Sequence, residues 1–189
     1  MTRTAALLAA IAFLGGCGGE DSPTSTEATA QLQPKAFASA AQAAVNQDLA
    51  TLRQVTASFH NFAAATAAGW AAQITPCMES PEGGMGFHYG NVGLIDGTAR
   101  VDQPELLLYE PESNGQLRLV AVEYIIPYTF HSRDAAPPVL FGQEFQQVDA
   151  FQLWGLHAWV WKNNPSGTFA AWNPLVNCAN ATATSRMSH

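Results

Sequence analysis

Three residues of this chain have the types that hold a transition metal, and the local pattern places each on a strand: His88, Glu123 and His157. His88 follows Gly83-Gly84-Met85-Gly86, a run that lets backbone come close to a ligand. Its alternate neighbours are Gly86 and Gly90, so a strand face carrying it would be open. His157 alternates with Trp159 and Trp161. Glu123 falls on the face of Leu117, Leu119, Ala121 and Ile125. A carboxylate on such an apolar stripe is costly unless paired, hydrogen-bonded or bound to metal. Two imidazoles and one carboxylate form a three-ligand set with an open position, suited to Zn, Cu or Fe. The expectation is that the three converge on one ion. Each also has a plainer reading. A strand His beside two Trp is commonly a core residue bonded to backbone, and Glu123 could pair with Arg118 or Arg133. No HxH or HExxH spacing supports the ligand set.

Other chemistries have less behind them. His60 lies one position off an apolar helix stripe and becomes a fourth ligand only if it faces the sheet. His131 sits in a polar loop and His189 at the terminus. No serine stands in GxSxG, and Ser166 belongs to the turn Asn-Pro-Ser-Gly. Glu105, Glu110 and Glu123 could supply a carboxylate pair for glycosidase-like chemistry, but sequence gives no separation between them. The glycine run is not a phosphate loop, since its spacing is wrong and no Lys follows. Trp154, Trp159, Trp161 and Trp172 are the alternative site: a Trp-rich face on a non-catalytic envelope module, taking a sugar or an apolar small molecule.

The elements that must position these residues divide in two. Residues 34–70 are helical: Val45, Leu49, Leu52, Phe59, Phe62, Thr66 and Trp70 recur on one face. Pro34 suits a first helical position and Gly69 a stop, and Asn46-Gln47-Asp48 is a place where one helix could become two. Strands follow. Glu82 to Gly86 has the composition of a flexible turn. Leu106–Tyr109 and Leu117–Ile126, joined by Pro111-Glu112-Ser113-Asn114-Gly115, form a hairpin. His131 to Pro138 is a loop, Gly155–Trp161 is a strand, and Asn163 to Gly167 ends it. The expected fold class is α+β, with an N-terminal helix or helical hairpin on a small antiparallel sheet able to curl toward a barrel.

The strings Gly83-Gly84-Met85-Gly86-Phe87-His88-Tyr89, PELLLYEP at 104–111, LVAVEY at 119–124 and LHAWVWKNNPSGTF at 156–169 together resemble a family of uncharacterised exported bacterial proteins. The likeness spans roughly Gly69 to Cys178. It implies export, and no activity or functional residue carries over with it.

The N-terminus points the same way. Arg3 precedes the apolar run Ala5 to Leu14, the pattern of a secretory signal too short to span a bilayer. Leu14-Gly15-Gly16-Cys17 resembles a bacterial lipobox, which implies cleavage after residue 16 and lipidation of Cys17. Residues 1–16 are thus expected to be a signal peptide, 17–33 a polar tether, 34–178 one domain and 179–189 a disordered tail. Removing the signal leaves 189 − 16 = 173 residues, and losing Arg3 takes the net charge from −7 to −8. An acidic chain without a Lys/Arg cluster is a poor match for nucleic acid or anionic headgroups. Membrane attachment would come through the lipid alone, localising the protein to the bacterial cell envelope. With Cys17 set aside, Cys77 and Cys178 remain, and in an oxidising compartment they are expected to pair. The hydrophobic fraction of 48% is ample for a core.

Overall fold

The computed structural model of the protein describes the backbone of residues 25–182 and 186–188 and the side chains of residues 39–182. The expected signal peptide and Cys17 lie outside these residues, as do residues 17–24 of the expected tether. Helix α1 (Ser25–Thr56) takes in residues 25–33 of that tether. From Ser39 onward the chain forms one compact unit.

The helical stripe packs as its spacing predicts. Leu52 and Trp70 are buried, and Val45, Leu49, Phe59 and Phe62 pack against the same cluster. The interruption comes later than Asn46-Gln47-Asp48, which α1 runs straight through. After Thr56 the chain tightens into a 3₁₀ turn (Ala57–His60) and breaks at Asn61. Asn61 then starts the short helix α2 (Phe62–Ala67), its side chain accepting from the N–H groups of Ala63 and Ala64. An Asn is a strong cap because its oxygen satisfies amides that the first helical turn cannot. Gly69, at φ +113°, stops the helix where expected.

The sheet is an α+β partner to these helices. Strands β1 (Ala72–Ser80), β2 (Gly83–Gly90), β3 (Leu106–Pro111), β4 (Leu117–Pro127), β7 (Gln146–Val148) and β8 (Leu153–Ala158) are antiparallel in the order β7-β8-β4-β3-β2-β1. They curl into a half-barrel. A small hairpin, β5 (Val139–Leu140) with β6 (Gln143–Glu144), stands apart. Strand β9 (Arg186–Ser188), within the expected tail, adds a parallel edge to β1.

Two differences from the sequence reading change what lies on which face. The glycine run is not a loop: Gly83 to Gly86 open strand β2, and the turn is Pro81-Glu82. Alternation along β4 is broken by a register shift. Leu108 pairs with Ala121 but Tyr109 with Leu119, so Val120 is the extra residue of a bulge. Leu119 therefore packs with Val122, Tyr124 and Ile126 in the cluster under the helices, while Ala121 and Ile125 belong to the cluster on the other face. Glu123 shares a face with Ala121 and Ile125, and Leu117 and Leu119 are turned away from it.

Cys77 and Cys178 form a disulfide with Cα atoms 5.8 Å apart, within the reach such a bond requires. It ties β1 to the loop that ends the described domain.

Candidate metal centre

The three candidate ligands come from three strands, and the sheet register explains how they meet. Glu123 on β4 and His157 on β8 are direct cross-strand partners. Such pairs carry their Cβ atoms about 4.5–5.5 Å apart on one face. His88 is farther away. It pairs with Leu108 on β3, which pairs with Ala121, two positions from Glu123. Strands β2 and β4 would lie about 9–10 Å apart in a flat sheet. The curl of the half-barrel and two long side chains close that gap.

The resulting cluster is tight. His88 Nε2 lies 3.4 Å from Glu123 Oε2, and His157 Nε2 lies 3.9 Å from Glu123 Oε1. One ligand atom from each residue can be chosen so that all lie within 4.8 Å of one another. A tetrahedral ion with bonds of about 2.0–2.1 Å sets its ligand atoms about 3.3–3.4 Å apart. One edge of the triangle already matches, and small side-chain rotations would bring in the other two.

All three side chains are buried. Burial is the largest influence on each and acts against charge. It lowers His88 to about 3, helped by the neighbouring His157 and partly offset by a backbone hydrogen bond at Gly86. It lowers His157 to about 4. It raises Glu123 to about 8, with the charge of Glu105 adding to the rise. Without an ion the cluster is thus a neutral trio at mid pH, and its imidazoles are already in the form that ligates metal.

Second contacts hold the ligands in place. His88 Nδ1 is 2.8 Å from Thr75 Oγ1 on β1. With Nε2 left to coordinate, Nδ1 carries the proton and donates to the hydroxyl, which fixes the ring. The His157 ring stacks on Trp159 at 6.2 Å and 11°. Its Nε2 has no hydrogen-bond partner, although it is buried. Gly155 on β8 leaves room for the carboxylate: a Cβ there would stand 2.9 Å from Glu123 Oε1.

The cluster forms part of the wall of a cavity of about 410 Å³. The rest of the lining is mainly apolar, including Met78, Met85, Leu106, Ile125 and Leu153. Trp172 also lines it. The other Trp residues have structural positions. Trp154 donates to His131 O, Trp159 to Ala170 O and Trp161 to Thr56 Oγ1, and Trp154 and Trp161 pack in one core cluster while Trp159 packs in the other.

The remaining candidates separate from the cluster. His60 is exposed and edge-on to the Trp161 ring at 4.4 Å. His131 Nε2 bonds Ala136 O at 2.8 Å. Arg118 pairs with Glu110, and Arg133 with Asp149, so neither neutralises Glu123. Burial alone would raise Glu110, but hydrogen bonds from Lys162 and Arg118 outweigh it and hold the carboxyl below its usual range. Glu105 is buried and accepts the N–H of Ile125 at 3.2 Å. Of the three acids weighed for glycosidase-like chemistry, Glu123 alone lines the cavity.

Thr75 and Gly155 were not legible as site residues. Both act through placement on strands whose register had to be known first. Comparison with protein-family models, curated proteins and solved structures finds no match for this chain.

Proposed function

We propose that this chain is an exported, lipid-anchored protein of the bacterial cell envelope whose globular unit binds one transition-metal ion of the Zn, Cu or Fe class. His88, Glu123 and His157 are the ligands, and the open coordination position faces the cavity. The observation that carries this reading is the orphaned His157 Nε2, buried and 3.9 Å from a carboxylate that no Lys or Arg pairs among the described residues. An unpartnered buried donor or acceptor costs about 1–3 kcal/mol. An ion would supply the missing partner to His157 and an opposite charge to Glu123 in one step. An ion held by three ligands with a position to spare can polarise a bound oxygen or lower the pKa of bound water.

Protein purified without chelators or a nickel-affinity step should carry close to one equivalent of metal by inductively coupled plasma mass spectrometry. His157→Ala should lose it while keeping the disulfide and the circular dichroism of the fold. A metal-free wild type that takes up none of these ions on dialysis defeats the reading. Export is tested separately. Membrane-associated protein should begin at a lipid-modified Cys17, and a chain still carrying Met1 would refute the anchor.

A further inference from the structure

The cavity over the cluster has a composition that selects its occupant, and we propose that it takes a small amphipathic molecule with one anionic oxygen head and an apolar tail. This inference rests on the metal reading above. The charge balance comes first. A divalent ion beside ionised Glu123 keeps one unit of positive charge, which a single anionic oxygen group neutralises. No Lys or Arg lines the cavity among the described residues, so a phosphate or a dicarboxylate would bring charge that nothing there offsets. Asp149, the other acid in the lining, is already held by Arg133 through contacts of 2.8 and 2.9 Å.

The walls specify the tail. Ile74, Met78, Met85 and Leu153 are aliphatic or thioether surface, and thioethers adapt to flexible chains. Trp172 closes another part of the lining, and Phe151 at 45% exposure leaves an aromatic surface at its border. A volume of about 410 Å³ lies within the range of small-molecule sites and admits a chain of several methylenes. A metal-bound carboxylate head with a medium-length hydrocarbon tail matches the cluster at one end and these apolar walls at the other, with Gln146, Gln147 and Asp149 forming the polar part of the lining.

Octanoate is the probe. Zinc-loaded full-length protein should bind octanoate by isothermal titration, about tenfold or more tighter than 1-octanol or inorganic phosphate. Each methylene buried is worth about a fourfold gain, so octanoate should exceed butanoate by on the order of a hundredfold. Metal-free protein and His157→Ala should lose the preference for octanoate over octanol. Leu153→Phe, which fills the cavity from β8, should keep its zinc and weaken octanoate at least as much as butanoate. The chain-length series decides the matter should that variant fail to fold. Zinc uptake with no octanoate binding overturns this inference and leaves the metal reading standing, as does equal binding of octanol, of phosphate or of all chain lengths. Failure to take up zinc or any related ion overturns both.

Discussion

Each ligand's protonation sets how the site answers to pH. His88 and His157 are lowered from 6.5 to about 3 and about 4, and Glu123 and Glu105 are raised from 4.5 to about 8. The unfolded chain protonates its imidazoles below 6.5 and the folded one does not, so their contribution to stability falls as pH drops toward 3. The acids act oppositely: the unfolded chain ionises them above 4.5 while the folded chain keeps them neutral, so stability falls as pH rises toward 8. Two imidazoles and two acids nearly cancel between 4.5 and 6.5. Metal-free protein should therefore show a stability plateau there in urea melts, with a decline on both sides. Metal binding needs ionised Glu123 and neutral imidazoles, so it should release close to one proton per ion below pH 8. Its affinity should rise by about tenfold per pH unit from pH 6 to 7. A pH-independent affinity over that interval would show that Glu123 gives up no proton to the metal. Gly155→Ala probes the same carboxylate sterically. The added Cβ would stand 2.9 Å from Oε1 and 3.2 Å from Val148, and the carboxylate is the part free to shift. The variant should fold but lose about tenfold or more in metal affinity by competition with a chelator, the usual scale for disturbing a ligand's support.

At the scale of elements, the sequence was legible where pattern and geometry agree. The hairpin of β3 and β4 was visible from its turn residues, and the packed helix face from its spacing. His88, Glu123 and His157 are legible as ligand types on strand faces, but it is the strand register, not any spacing in the sequence, that brings them together. What hid the rest was irregularity. Strand β1 carries Pro76 and no clean alternation, and its register against β2 shifts between Thr75 and Met78. A proline tolerated at a bulge does not read as a strand. The bulge at Val120 likewise reversed the side assigned to Leu117 and Leu119, because each residue inserted into a strand flips everything beyond it. By composition Asn46 to Asp48 offers a place for a helix break, whereas Asn61 makes it. In α1 those polar residues lie in a continuous helix, and Asn61 has an extended backbone with its side chain on the next amides. Asn61→Ala should lower stability by about 1 kcal/mol in denaturant melts without affecting metal content. Loss of metal in that variant would mean that α2 supports the site more directly than its packing on Tyr89 and Tyr109 suggests.

Among the described residues, the unit from Ser39 onward is held by a core on both faces of a curled sheet and by one disulfide. The Cys77–Cys178 bond spans 101 residues in sequence. A loop of that length should contribute about 4–5 kcal/mol by restricting the unfolded chain. Replacing both cysteines by serine should lower the urea midpoint by the corresponding amount. The same bond closes a covalent ring, and His88, Glu123 and His157 all lie inside it. The loop from Ser132 to Pro137 is exposed and also belongs to the ring. A protease that nicks the chain there separates His157 from the other two ligands in sequence, yet leaves one covalently joined molecule. Nicked protein should therefore run as one species on a non-reducing gel and keep its metal. Reduction should release two fragments, and the ion with them.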